Sequence, residues 1–401
     1  MILYPLLASV VFSLGGRLGL LGSWGRAVRA DQQWRSLPPK KGKVIWMHCA
    51  SLGEFEMGRP VLEGFLDRHA DWQAVVTFFS PSGYEPRKGY NRATVHYLPM
   101  DTPSQVKKWL MYCNPSLAVF VRYDLWPNHM DGLRKRNIPV VVAAMSAPKA
   151  PWYLNRALPL IRKTFENAVT TWGVVRAQDA AAMSLAGVHS EVLGNPKYDY
   201  AAALIGREVP EKFKAWKQAQ EKPVLLVGSA HLSDCEALKD IDLRGVSLWI
   251  VPHDLGESAK LRGMFKYNEP TAILDSTIDK PKATDVLMVP EFGVLSGLYG
   301  LADGVLVGGG WNKATHNVLE ATAQGKVAAC GPNWQKIAEN HELVAQGFLH
   351  PIHAFGDWMA YIDQVGTDDF AAQGKAAQAW MLKQKGASEK IVRVLEEAVQ
   401  L

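Results

Sequence analysis

A chain of 401 residues, 48% apolar and 21% charged, carries enough apolar side chains for two ordinary cores, which excludes intrinsic disorder. A mean hydropathy of −0.07 excludes a protein built mainly of membrane spans, and a net charge of +5 without aromatics interleaved among basic runs argues against nucleic acid as a partner. Cys49, Cys113, Cys235 and Cys330 lie far apart with no CxxC pair, so they read as reduced thiols rather than a disulfide frame or a zinc site.

The chain opens on an uncharged apolar run, Met1–Gly16, continues through Arg17 to LGLLGSWG, and then meets Arg26, Arg29, Arg35, Lys40, Lys41 and Lys43 against the single acid Asp31. The run is short of the ~20 residues a spanning helix needs, although Arg17 can snorkel. Positive charge after the run, not before it, is the wrong order for a signal peptide. It suits the anionic cytoplasmic face of a bilayer. Residues 1–30 are therefore expected to form a membrane-anchoring helix, against the alternatives of a helix buried in the core or a cleaved leader.

Beyond the anchor, short β-branched runs alternate with amphipathic stretches, the pattern of a parallel sheet with crossover helices. Strands are expected at Lys43–Met47, Gln73–Phe79, Ala93–Leu98, Leu117–Val121, Pro139–Met145, Thr170–Val174 and Glu191–Leu193. Helices are expected at Glu54–Arg68, Pro103–Cys113 and Asn128–Arg136. A second set of strands follows at Pro223–Val227, Ser247–Val251, Thr271–Leu274, Val286–Val289, Gly304–Val307 and Val327–Cys330, with a helix at Asn317–Gln324. The expected fold is α/β, with two doubly wound, Rossmann-like domains facing each other across a cleft. Their bounds are 31–200 and 222–401, with a linker at 201–221 and a closing helix free to cross back to the first domain.

Chemistry-bearing residues gather where strands end. After the first strand come His48, Ser51, Gly53 and Glu54: Ser51 can cap the helix, Gly53 admits close backbone approach, and Glu54 falls in the first helical turn. The helix dipole favours an ionised carboxylate there, able to accept a proton. Arg122 and Asp124 leave the fourth strand, where Arg122 can hold a phosphate or carboxylate and Asp124 can orient a hydroxyl; a structural Arg–Asp pair is the competing reading. In the second half, Ser229 and His231 follow one strand and His253 the next. Gly308, Gly309 and Gly310 follow a third and lead to Thr315, His316, Asn317 and Glu320. Three glycines between a strand and a helix suit a phosphate cradle, and Asn317 and Glu320 share a helix face suited to a ribose. The alternative is a tight structural turn. No HExxH or clustered carboxylate–histidine spacing marks a metal site.

The segments HCASLGEFE (48–56), RYDLWPN (122–128), GNPKYD (194–199), GSAH (228–231) and GGGWNKATHNVLEA (308–321) occur in the order found in the Kdo (3-deoxy-D-manno-octulosonic acid) transferases, which the chain resembles from its N-terminus to about Leu343. The resemblance implies a GT-B glycosyltransferase that moves Kdo from CMP-Kdo to lipid IVA, inverting the anomeric centre, with no metal and no cofactor beyond the nucleotide sugar. It implies Glu54 as general base. It also implies donor contacts at Ser229, His231, His253, Gly308, Gly309, Gly310, Thr315, His316, Asn317 and Glu320. Acceptor contacts fall at His48, Ser51, Gly53, Arg122, Asp124 and Lys149, with Arg87 and Lys88 as further candidates for the acceptor phosphates. The implied location is the cytoplasmic face of a bacterial inner membrane, where the lipid acceptor lies. Departures from the family pattern are Arg122 and Asp124 in place of two glutamates, Pro196 and Tyr198 within GNPKYD, the segment after Met145 (SAPKAPWYLN) without the usual Ser-Arg pairing, and ATHN where two glycines commonly precede His-Asn. Competing functions are a UDP-sugar transferase acting on another lipid and a non-catalytic membrane-tethered binding protein.

Overall fold

A computed structural model describes residues 33–146, 149–239, 241, 243, 245–265 and 273–400. The expected anchor over residues 1–30 lies outside them. Among the described residues no helix is long and apolar enough to cross a membrane.

The chain divides into two units, residues 1–200 with 385–401, and residues 201–384. The first holds seven strands: β1 (Lys43–Cys49), β2 (Trp72–Phe78), β3 (Thr94–Tyr97), β4 (Leu117–Val121), β5 (Val140–Met145), β6 (Thr171–Val174) and β7 (Glu191–Val192). They form one sheet in the order β3-β2-β1-β4-β5-β6-β7, and every recorded pairing is parallel. The central strands β1, β4 and β5 are buried almost throughout, because helices cover both faces of a parallel sheet.

Trp46, Trp109, Phe120 and Phe165 sit in the core on one face, and Phe55, Val61, Leu62 and Phe65 in the core on the other. This second core is closed by the final helix, Ala387–Ala398, through Ile391, Val392 and Leu395. The helix therefore completes the first unit, although it is far away in sequence. Arg68 pairs with Glu389, and His69 Nε2 meets Glu396 at 3.0 Å. Asp199 caps the helix start by accepting from the Gly386 N–H at 2.7 Å, the Ser388 N–H at 2.9 Å and the Ser388 hydroxyl at 3.0 Å. The acid of GNPKYD is thus a latch for a distant helix.

The second unit repeats the plan with β8 (Val224–Ala230), β9 (Ser247–Pro252), β10 (Ile273–Asp275), β11 (Val286–Met288), β12 (Gly304–Val307), β13 (Ala328–Cys330) and β14 (Leu349–Pro351), ordered β10-β11-β9-β8-β12-β13-β14. The edge strand β14 was not expected: it has three residues, ends in proline, and carries no alternating pattern. The stretch 201–221, expected as a linker, contributes the helix Glu211–Gln218, whose Phe213 and Trp216 are buried. Two large aromatics in a core make it part of the second unit.

The strand order reverses between β1 and β4 in the first sheet and between β8 and β12 in the second. Loops leaving neighbouring parallel strands toward opposite faces open a crevice there, where α/β sheets bind ligands. Four of the motifs singled out in sequence, at 48–56, 122–128, 228–231 and 308–321, lie at the ends of these four strands.

Candidate functional site

In the first unit, the end of β1 places His48 fully buried between two neighbours. Its Nδ1 lies 2.9 Å from Thr77 Oγ1 on β2, and its Nε2 lies 3.0 Å from Asp124 Oδ2 beyond β4. Asp124 thus engages His48, and among the described residues it forms no pair with Arg122. The chain turns at Ala50 and Ser51 into the helix Leu52–Arg68. Ser51 occupies the N-cap position, but its side chain makes no cap bond, contrary to expectation. The Glu54 carboxylate reaches back instead and accepts the Ala50 N–H. Gly53 is exposed, and a Cβ added there would meet nothing within 4 Å, so the helix start is open to a ligand.

Glu54 is half-buried. Burial raises its carboxyl above the ordinary value, and the Ala50 N–H, Arg122 and His48 partly oppose that rise. The helix-dipole argument made from sequence omitted this desolvation. Arg122 takes a left-handed backbone (φ 68°), a conformation costing a non-glycine residue on the order of 1 kcal/mol. Its Nε is buried without a partner. The N–H of Arg122, donated to Ala143 O at 2.7 Å, holds this turn against β5.

The rest of RYDLWPN is structural. Pro127 begins a helix, as its fixed φ favours, and buried Asp101 accepts from the Asn128 and His129 N–H groups at 3.1 and 3.0 Å. Lys149 lies exposed after β5, joined to this group by no hydrogen bond among the described residues. Arg87 is committed to Glu56, and Lys88 to Glu85.

In the second unit, Ser229 turns out of β8 with φ 53°, and His231 opens the helix Leu232–Leu238. His253 follows β9, its N–H donated to Ala230 O at 2.9 Å. The three glycines after β12 are buried, and the space a side chain would need is filled by the protein's own backbone. A Cβ on Gly308 would stand 2.3 Å from Ser229 O, one on Gly309 2.5 Å from Ala314 O, and one on Gly310 2.4 Å from Gly331 N. The Gly308 N–H binds Gly228 O at 2.9 Å, and the Gly309 N–H binds Asp234 Oδ2 at 2.8 Å. Those two N–H groups are therefore already paired within the protein, and the tight-turn alternative describes this loop.

Thr315 is buried, with its N–H bonded to Asn333 O. The expected helix at 317–324 is shorter, Leu319–Ala323. Asn317 bonds Glu320 through Nδ2 at 3.2 Å and caps the Leu319 N–H through Oδ1 at 3.2 Å. The sequence reading missed Asp234, whose Oδ2 also accepts the His231 N–H at 2.9 Å and so ties the β8 and β12 loops together. Its signal was available: an acid three residues after a helix cap is the spacing of a capping box.

The arrangement also gathers His231, His253 and His316. His231 Nε2 and His316 Nε2 are 2.8 Å apart, and the three rings pack with centroids 4.5 to 5.1 Å from one another. Burial lowers His316 to about 4, with His253 and His231 adding to the effect. Burial and then His231 lower His253.

Residues 22–200 match the family model described as 3-deoxy-D-manno-octulosonic-acid transferase (kdotransferase). Over 78% of its length the chain is 24% identical to a bifunctional glycosyltransferase/methyltransferase of Fusobacterium nucleatum, of which it spans only 50%. It is 27% identical to a 3-deoxy-D-manno-octulosonic acid transferase of Haemophilus influenzae over 72% of this chain and 70% of that one. With the corresponding transferase of Bordetella pertussis it shares 23% identity over 94% and 95%. Among solved structures, a glycosyltransferase from Rickettsia africae aligns over 90% of this chain and all of its own with a TM-score of 0.59 at 12% identity. The UDP-GlcNAc 2-epimerase of Neisseria meningitidis aligns over 89% and 99% with a TM-score of 0.56 at 13% identity. These last two show a shared fold. The family model covers the first unit, and curated Kdo transferases 23–27% identical align over most of the chain; these similarities support a glycosyltransferase related to the Kdo transferases.

Proposed function

We propose that the protein transfers Kdo from CMP-Kdo to a hydroxyl of lipid IVA, inverting the anomeric centre, at the cytoplasmic face of a bacterial inner membrane. The observation that carries the reading is Glu54: a half-buried carboxylate with a raised proton affinity at the strand-order reversal of the first sheet. The positive charge of Arg122 opposes that rise. A base needs a proton affinity near working conditions, and burial moves a glutamate in that direction.

In this reading the acceptor oxygen attacks the anomeric carbon of Kdo while the bond from that carbon to the CMP phosphate oxygen breaks. The acceptor proton goes to Glu54, and CMP departs with the bonding pair. Asp124 and Thr77 fix the His48 ring beside the base. Arg122 supplies positive charge close to the base. The second unit holds the nucleotide at the β8 and β12 loops, through Ser229, Asn317 and Glu320 rather than through the paired glycine N–H groups. The departing phosphate is met there by polar side chains and needs no metal ion. The apolar run at residues 1–16 and the basic residues after it bring the enzyme to its lipid substrate.

Nucleotide protection tests the donor half. CMP is expected to raise the unfolding temperature of the full chain, and UDP at the same concentration to leave it unchanged. Stabilisation by UDP without stabilisation by CMP would overturn the CMP-sugar reading and favour a UDP-sugar donor.

A further inference from the structure

We propose that His231, His253 and His316 form a three-imidazole site for a transition-metal dication of the zinc class. The inference goes beyond the transfer reaction, which uses no metal in the scheme above. The three residues come from three separate strand ends, after β8, after β9 and after β12, so their spacing of 22 and 63 residues conforms to no sequence signature. In the fold, one nitrogen of each imidazole lies within 4.8 Å of the others. Tetrahedral zinc–nitrogen bonds of about 2.0–2.1 Å put neighbouring ligand nitrogens roughly 3.3 Å apart. The His231 and His316 Nε2 atoms are 2.8 Å apart, a little closer than that spacing.

The chemistry of the donors fits. Two Nε2 atoms at 2.8 Å must share one proton, one donating and one accepting. With each ring proton on Nδ1, both lone pairs face the same point, which is what a metal requires. Burial and the neighbouring rings lower His253 and His316, a shift toward the neutral form that binds metals. Hydrogen bonds from their backbone N–H groups hold all three ligands in place: His231 donates to Asp234 Oδ2, His253 to Ala230 O and His316 to Gly308 O. His253 is exposed while the other two are half-buried. The site thus has three protein ligands and a solvent-facing fourth position, the pattern of an open rather than a purely structural zinc site. Three imidazoles without a carboxylate disfavour magnesium and calcium, which prefer oxygen.

The test uses the full-length protein with Zn2+ followed by calorimetry and Co2+ followed by visible absorption, and needs no activity assay. One ion per chain is expected, with cobalt bands of a nitrogen-ligated tetrahedral or five-coordinate centre, and no comparable heat from Mg2+. His253→Ala, at an exposed position that leaves folding intact, is expected to weaken Zn2+ binding by roughly tenfold or more. His231→Ala combined with His316→Ala is expected to abolish it. Absence of Zn2+ and Co2+ binding would overturn the proposal. So would binding unchanged in these variants, a cobalt spectrum dominated by thiolate charge transfer, or equal affinity for Mg2+.

Discussion

His48 and Asp124 meet at 3.0 Å across the strand-order reversal of the first sheet, one at the end of β1 and the other beyond β4. The contact joins two loops that sequence could place only separately. With Thr77 on the other ring nitrogen, both polar atoms of a fully buried imidazole are satisfied. Asp124→Ala removes one partner and leaves a buried nitrogen bare, which costs about 1–3 kcal/mol. Urea denaturation is expected to show that loss, while Asp124→Asn, which keeps an oxygen at the position, should lose less. Equal stability for wild type and the alanine variant would show that the contact contributes nothing.

Glu54→Gln separates chemistry from folding. Losing the base is expected to slow transfer by about 10²–10⁴-fold. The stability effect has the opposite sign. Burial raises the folded-state carboxyl above its unfolded value, so its favourable contribution is complete below the unfolded value and is lost as pH rises through the folded one. Above the folded-state value the ionised group is a burden, and there the neutral amide should unfold at the same temperature as wild type or higher. A variant that is both inactive and clearly less stable would point to a structural Glu54.

Arg122 sets where the base titrates. Its charge lowers the Glu54 carboxyl against the larger effect of burial. Arg122→Ala should therefore move the acidic limb of the pH–rate profile to higher pH, because the base stays protonated longer. Arg122→Lys should leave the limb near its wild-type place. A limb that does not move in the alanine variant would show that the two charges do not interact.

The buried glycines predict a stability effect in the second unit. Gly310→Ala drives a Cβ to 2.4 Å from the Gly331 nitrogen and 2.7 Å from its Cα, backbone atoms with no rotamer to change. A loss of about 2 kcal/mol or more is expected, equivalent to a fall of roughly 4–8 °C in the unfolding temperature of a unit this size. An unchanged transition would mean that the loop is looser than the packing implies.

Asp199→Ala removes the three hydrogen bonds that cap the start of the closing helix. Hydrogen exchange is expected to accelerate at residues 387–398 and to stay unchanged at residues 232–238 in the other unit. Uniform protection across both would rule out the latch.

The periodic elements were legible from residue order. Leu117–Val121 and Gly304–Val307 appear with their expected bounds, and β1, β2 and β5 within about two residues, because buried parallel strands are written as unbroken β-branched runs. The strand-end positions of Glu54, Arg122, Ser229 and His231 followed from that alternation. What stayed hidden depended on tertiary neighbours. Nothing local says that Asp124 will turn to His48 rather than Arg122, or that three histidines from three strands will meet. The glycine loop looked like a phosphate cradle because glycine is required equally for a ligand's approach and for the protein's own backbone. Only the neighbours Ser229, Ala314 and Gly331 distinguish the two. Asp234 is different, because its capping-box spacing after His231 is local and can be read in the residue order.

The central claim is Kdo transfer with Glu54 as base, and a single reaction tests it most directly. The full-length protein in detergent or vesicles is incubated with CMP-Kdo and lipid IVA, and both CMP release and the mass of the lipid product are recorded. The account predicts CMP released only when lipid IVA is present, a lipid heavier by one or more Kdo units, and both signals lost in Glu54→Gln. Folded wild-type protein that releases no CMP and leaves the lipid mass unchanged would contradict it.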